Sequence, residues 1–127
     1  VHVGQDDMSV ARARAILGPD KIIGASAHNV AEAVAAYQAG ADYLGCGAVF
    51  GSATKTDASH LPEGELARVC AATPLPVVGI GGITEENLPR LAGSGVAGVA
   101  LVSALFAPAD KPAAVARLLT ALEKTLG

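Results

Sequence analysis

Aromatic side chains are scarce in this 127-residue sequence, at 3% of positions with two Tyr, two Phe and no Trp. A core must then be made of Ala, Val, Leu and Ile, and small side chains let helices lie close to strands, which favours tight helix-on-sheet packing. Cysteine is nearly absent. Cys46 and Cys70 are too few for a disulfide framework and match no common zinc spacing, so a reducing cytoplasm is the expected setting. Neither has a His or other base nearby in sequence, and both read as small packing residues. A basic excess is missing too: 9 Lys and Arg against 12 Asp and Glu leave a formal charge of -3, and no basic run suggests nucleic acid as a partner. Apolar stretches are broken by Gly, Pro or charge well before the ~20 residues that cross a bilayer, and Val1 opens no charged-then-apolar leader. A soluble, unexported protein with no membrane partner is expected.

What is present is core material. With 51% hydrophobic and 17% charged residues, a chain of this length can bury roughly two-thirds of its extended surface, so disorder is not expected and residues 1–127 form a single domain. Val1-His2-Val3 already alternates, which places the first residue inside a strand.

Five short β-branched runs recur, at Val1–Val3, Ile22–Ala25, Tyr43–Gly45, Pro76–Ile80 and Val96–Val102, each followed by polar or glycine residues and then by helical spacing. Between Met8 and Leu17, Val10, Ala13, Ile16 and Leu17 share one face, with Arg12 and Arg14 off it, until Gly18-Pro19 stops the helix. Asn29 and Glu32 resemble a capping box for a helix ending near Ala39, with Gly40 as its stop. Thr84 is expected to open another helix with Glu85 and Glu86 in its first turn. The last helix, from about Pro112 to Leu126, carries Val115, Leu118, Leu119 and Leu122 on one side. Repeated β-α units require a parallel sheet. Strands recur about every 20 residues, except where the loop Cys46–His60 lengthens one unit. Long loops in compact α/β folds are more often functional than incidental.

Every polar cluster follows a strand: Gln5-Asp6-Asp7, Ser26-Ala27-His28, the long loop, Gly81-Gly82-Ile83-Thr84, and Ser103. A parallel β-α fold puts them all at the carboxyl end of the sheet, where barrel active sites are built. A doubly wound sheet produces the same rhythm. At Gly81-Gly82 the missing side chains let backbone N–H groups approach an anion, with a helix start behind them; the alternative is a tight turn. A second turn, Val102-Ser103-Ala104, follows the next strand, as in barrel phosphate sites. In Ser52-Ala53-Thr54-Lys55-Thr56-Asp57, hydroxyls and a cation suit a phosphate or pyrophosphate clamp, or else a solvated loop. Asp6 and Asp7 suit Mg²⁺, which takes one or two carboxylates plus phosphates and waters, or a helix cap. Ser26 and His28, flanking Ala27, are read as facing opposite sides, with His28 structural.

Taken together, Val3-Gly4-Gln5-Asp6-Asp7, Gly24-Ala25-Ser26-Ala27-His28, Ala41 to Phe50, Thr54-Lys55-Thr56-Asp57 and Gly79-Ile80-Gly81-Gly82-Ile83-Thr84 resemble the thiamine-phosphate synthase family over essentially the whole chain. The resemblance implies an α/β fold, part of a TIM (β/α)₈ barrel comprising about strands four to eight with their helices. It implies a transferase of thiamine biosynthesis that joins hydroxymethylpyrimidine diphosphate to thiazole phosphate, releasing pyrophosphate with Mg²⁺ present. Carried over, Asp7 ligates Mg²⁺; Ser26 and Lys55 are catalytic and hold the departing pyrophosphate; Ser52, Thr54, Gly82, Val102 and Ser103 surround the thiazole phosphate. Early rupture of the C–O bond gives a pyrimidine-stabilised cation, and Mg²⁺ with Lys55 offsets charge on the leaving group.

Departures are Ala48, where the family usually has Pro, and Ser52, where Thr is common. A complete barrel takes about 250 residues, some near 200, so the first three β-α units, with a basic pyrophosphate-gripping segment and a second acidic metal ligand, have no counterpart here. The expected partner is a complementing amino-terminal half-barrel polypeptide or further copies of this chain. Two other readings stand beside the synthase: a related thiazole tautomerase, and a non-catalytic phosphate-binding partial barrel.

Overall fold

The computed structural model describes residues 1–50 and 61–127. Ser52, Thr54 and Lys55 lie outside the described residues, as does the rest of 51–60. The element order is β1 (His2–Val3), α1 (Val10–Leu17), β2 (Gly24–Ala27), α2 (Val30–Ala39), β3 (Tyr43–Cys46), α3 (Glu65–Ala72), β4 (Val77–Ile80), a 3₁₀ turn (Leu88–Leu91), β5 (Gly98–Ala100), α4 (Ser103–Phe106) and α5 (Lys111–Leu126). The five strands form one parallel sheet in chain order, β1-β2-β3-β4-β5. A doubly wound sheet reverses its strand order once. This one does not, so successive right-handed crossovers return their helices to the same side.

That side holds the core. Val3, Ala25, Ala27, Leu44, Cys46 and Val77 point toward the helices and are buried, together with Val10, Ala13, Ala33, Ala36, Leu66 and Val69 from α1, α2 and α3. Four buried alanines at the β2–α2 contact, Ala25, Ala27, Ala33 and Ala36, bear out the close approach expected of small side chains. Burial pushes the Cys46 thiol up to about 12 and also raises Cys70, so both are inert packing groups.

Several local expectations need correcting. The second strand begins at Gly24 rather than Ile22, because the Ile23 N–H donates to the Asp42 carboxylate at 2.8 Å instead of to a strand neighbour. On α1, Val10 and Ala13 are buried while Ile16 is exposed, and Arg14 is a tether: its guanidinium donates to the carbonyls of Gly18, Lys21 and Gly40 and to Asp42 Oδ2 at 2.7 Å. At α2, Asn29 accepts from the Glu32 N–H as expected, but Glu32 Oε1 accepts from the N–H of His28, one residue before the cap. Gly40, at φ 103°, ends that helix in the left-handed conformation. No α-helix follows Thr84. Thr84 and Asn87 cap each other reciprocally, yet Pro89 and the positive-φ Gly93 and Gly95 leave room only for the 3₁₀ turn. On α5 the inward stripe runs through Ala114 and Leu118, while Val115 and Leu119 are exposed; alanine at 114 lets the helix lie against the 3₁₀ turn. Sequence reading also named no boundaries for α3, although Leu66, Val69 and Cys70 have helical spacing.

Candidate functional site

The parallel register aligns the strand ends. Asp7, Ser26, Gly82, Val102 and Ser103 all follow or end strands at the carboxyl edge of the sheet, as expected from the sequence. Two glycine contacts bind β3 to β4 beyond the sheet proper. A Cβ on Gly47 would meet Ile80 Cγ2 at 2.7 Å, and one on Gly81, which sits at φ 106°, would meet Ala48 Cα at 2.8 Å. Through this close approach Val49 N–H donates to the Ile80 carbonyl at 2.9 Å and Phe50 N–H to that of Gly81 at 3.0 Å. Leu61 N–H donates to the Ala48 carbonyl at 2.9 Å. The last described residue before the 51–60 segment and the first after it are thus both anchored beside the Gly81-Gly82 turn. The Arg90 guanidinium, 4.8 Å from the Phe50 ring centre, adds a cation–π contact at the same root.

Gly82 is exposed, and its carbonyl accepts from Asn87 Nδ2 at 2.8 Å, leaving its N–H without a partner among the described residues. The α-helix expected behind this turn is absent, so any anion there meets backbone N–H groups without a full helix dipole. Val102 and Ser103 are exposed at the start of α4.

Asp7 does not cap α1; Ser9 does, accepting from the Arg12 N–H. Asp7 instead accepts from the Gly4 N–H through Oδ2 at 2.7 Å, and Oδ1 accepts no hydrogen bond among the described residues. The carboxylate is exposed and no group of three His, Cys, Asp or Glu side chains surrounds it among the described residues. One free hard oxygen suits Mg²⁺, which takes few protein ligands and completes its shell with phosphate oxygens and water.

Sequence reading missed the partners of Ser26. Ser26 Oγ lies 2.9 Å from His2 Nε2, whose Nδ1 lies 3.1 Å from the Tyr43 hydroxyl, and Gln5 Nε2 donates to the Ser26 carbonyl at 2.6 Å. Ser26 and His28 face the same way, correcting the expectation that they diverge: with a two-residue period, positions i and i+2 share a side. Both line a cavity of about 430 Å³ on the sheet face away from the helices, with His2, Tyr43, Val78, Ile80 and Ala100. That period was the available signal, since His2, Ser26 and Tyr43 lie on strand positions of equal parity in register. His28 Nδ1 sits 2.9 Å from Glu32 Oε1, in keeping with its structural reading.

Known proteins are similar to this chain over most of its length. The model of the thiamine monophosphate synthase family matches residues 1–105. Thiamine-phosphate synthase of Lacticaseibacillus paracasei is 44% identical over 126 residues, covering 99% of this chain and 59% of that protein. The enzyme of the same name from Ruminiclostridium cellulolyticum is 44% identical over 119 residues, covering 94% of this chain and 57% of that one. Among solved structures, thiamine phosphate pyrophosphorylase from Pyrococcus furiosus superposes with a TM-score of 0.89 at 38% identity, over 100% of this chain and 60% of that one. This chain therefore spans under two-thirds of the length of these relatives. With its sheet, its strand-end loops and nearly all of its length matched, the chain belongs to the thiamine monophosphate synthase family.

Proposed function

We propose that this chain supplies the carboxyl-terminal part, about strands four to eight, of a (β/α)₈ barrel that couples hydroxymethylpyrimidine diphosphate to thiazole phosphate with release of pyrophosphate. The observation that carries this reading is the family match over residues 1–105, which spans every strand-end loop named above. On this reading residues 1–127 are one domain of a cytoplasmic transferase. No helix among the described residues is long and apolar enough to cross a membrane.

Each residue has a chemical task. Ser26 and Lys55 hold the departing pyrophosphate, one as a hydrogen-bond donor and the other as a point charge. Ser52, Thr54, Gly82, Val102 and Ser103 surround the thiazole phosphate, the exposed N–H of Gly82 facing the anion. Asp7 offers its free Oδ1 to Mg²⁺. When bound, that ion offsets charge on the leaving pyrophosphate. The thiazole nitrogen then attacks the pyrimidine carbon without needing a strong protein base, and Cys46, held protonated, is no competitor as nucleophile.

The partner on this reading is an amino-terminal half-barrel. Exposed apolar groups at both margins of the sheet support it, with Val1, Ile16 and Ile22 near β1 and Val102, Phe106 and Leu119 near β5. The deciding experiment mixes the chain with a polypeptide bearing the missing β-α units and follows pyrophosphate release. Release that requires both substrates and Mg²⁺, and that is absent from the isolated chain, is expected. Thiazole phosphate binding with no release from the completed assembly would overturn the reading in favour of a binding module.

A further inference from the structure

His2 on β1 and Tyr43 on β3 reach toward each other over β2, the strand between them. Gly24 stands opposite both in register. A Cβ there would clash with Cζ and Cε1 of the Tyr43 ring, and a Cβ on Gly45 would meet His2 Cε1 at 3.0 Å. The two glycines are a floor on which the rings lie, their centres 5.6 Å apart and their planes tilted by 37°. Among the described residues His2 is the sole hydrogen-bond partner of both the Tyr43 hydroxyl and Ser26 Oγ.

A neutral imidazole has one donor nitrogen and one acceptor nitrogen. If Nδ1 held the proton, it would donate to the Tyr43 oxygen, the phenol hydrogen would lack an acceptor among the described residues, and Ser26 would spend its only proton on Nε2. With the proton on Nε2, Tyr43 O–H donates to Nδ1, Nε2–H donates to Ser26 Oγ, and it is the Ser26 hydrogen that is left to point into the cavity. Each tautomer leaves one hydroxyl hydrogen unused; the phenol is more acidic than the alcohol and so the stronger donor, which favours the arrangement in which Tyr43 donates to the ring and the Ser26 hydrogen stays available. We propose that Tyr43, acting through His2, is a positioning pair that fixes the Ser26 hydroxyl as a donor toward an anionic oxygen. The inference rests on the reading above, in which that anion is pyrophosphate. Neither Tyr43 nor His2 needs to touch the ligand.

The test has two arms on the full chain. In the first, the ring nitrogens of ¹⁵N-labelled His2 are observed by NMR at about pH 8, above the ordinary imidazole range. The expected state is Nε2–H, turning to a mixture or to Nδ1–H in Tyr43→Phe. An Nδ1–H tautomer in the unaltered chain, or no change in Tyr43→Phe, would overturn the proposal. In the second arm inorganic pyrophosphate with Mg²⁺ is titrated calorimetrically into the unaltered chain and its variants. Ser26→Ala, Tyr43→Phe and His2→Ala should each weaken binding by about three- to tenfold. His2→Gln, whose amide keeps a donor near the Nε2 position, should stay within about twofold. Weakening by Ser26→Ala alone would sink the relay and leave Ser26 as a pyrophosphate group. Unchanged affinity in Ser26→Ala, or no binding to the unaltered chain, would sink the pyrophosphate reading, while the tautomer still decides the relay.

Discussion

The two faces of the sheet are made of the same strands and obey opposite rules. Toward the helices, the strand side chains Val3, Ala25, Leu44, Cys46 and Val77 are closed off from water and make no hydrogen bonds among the described residues. On the other face, one residue along each strand, His2, Ser26 and Tyr43 are hydrogen-bonded, Gly24 and Gly45 give up side chains to make room, and Ile80 remains 42% exposed. Burial is concentrated on the first face and polar hydrogen bonding on the second. A period of two keeps them apart.

The sharpest test of that division is Leu44→Ala against Ile80→Ala. Leu44 is fully buried on the central strand, and its truncation should cost about 3 kcal/mol, read as a lower urea midpoint with an unchanged slope. Ile80→Ala should cost less than about 1 kcal/mol in the isolated chain. Next comes Arg14→Ala, which frees the carbonyls of Gly18, Lys21 and Gly40 on the helix side and should cost roughly 2 kcal/mol in the same titration. A smaller effect is expected in alkali. The Cys46 thiol has an ordinary value of 9.0 and is raised to about 12 when folded. Its contribution is fully present below the ordinary value and is lost as pH rises beyond it, by about 1 kcal/mol near pH 10. Cys46→Ala should remove that slope.

The acid side is gentler. The Ile23 N–H, and after it the Arg14 guanidinium, lower Asp42 below its ordinary 3.8. Stability from this group is present above that value and is lost as pH falls through the depressed one. Asp42→Asn should flatten the acid limb of a pH–stability curve by lowering its neutral region, leaving the acid end little changed. Last, Ser26→Ala on the open face should move stability by no more than about 0.5 kcal/mol, measured by the urea midpoint. A loss comparable to Leu44→Ala would erase the distinction between the faces.

Much of the helix-side face was legible. Turn chemistry at Gly18 and Gly40, the Asn29 cap and the five strand positions follow from local spacing, which is a nearest-neighbour property. Thr84 misled because its capping partner is real but the segment after it contains Pro89 and two glycines at positive φ. On α5 Leu118 and Leu122 pack inward as read, but Val115 and Leu119 do not, because hydrophobicity ranks Val115 above Ala114 whereas close packing prefers the smaller side chain. The Ser26 cluster was illegible for another reason. His2, Ser26 and Tyr43 are 24 and 41 residues apart from end to middle and end to end, and only strand register brings them together. Arg14 was likewise read only as lying off the apolar face of its helix, since its acceptors at Gly40 and Asp42 belong to another β-α unit.

The glycine floor under the two rings orders the routes by which this sequence can change. The three atoms nearest to a Cβ on Gly24 all belong to Tyr43, so Gly24→Ala is expected to cost more with Tyr43 present than once position 43 is small. On this face of the sheet, the lower-cost order of change alters position 43 before position 24. The two sites, on different strands, are therefore sterically coupled.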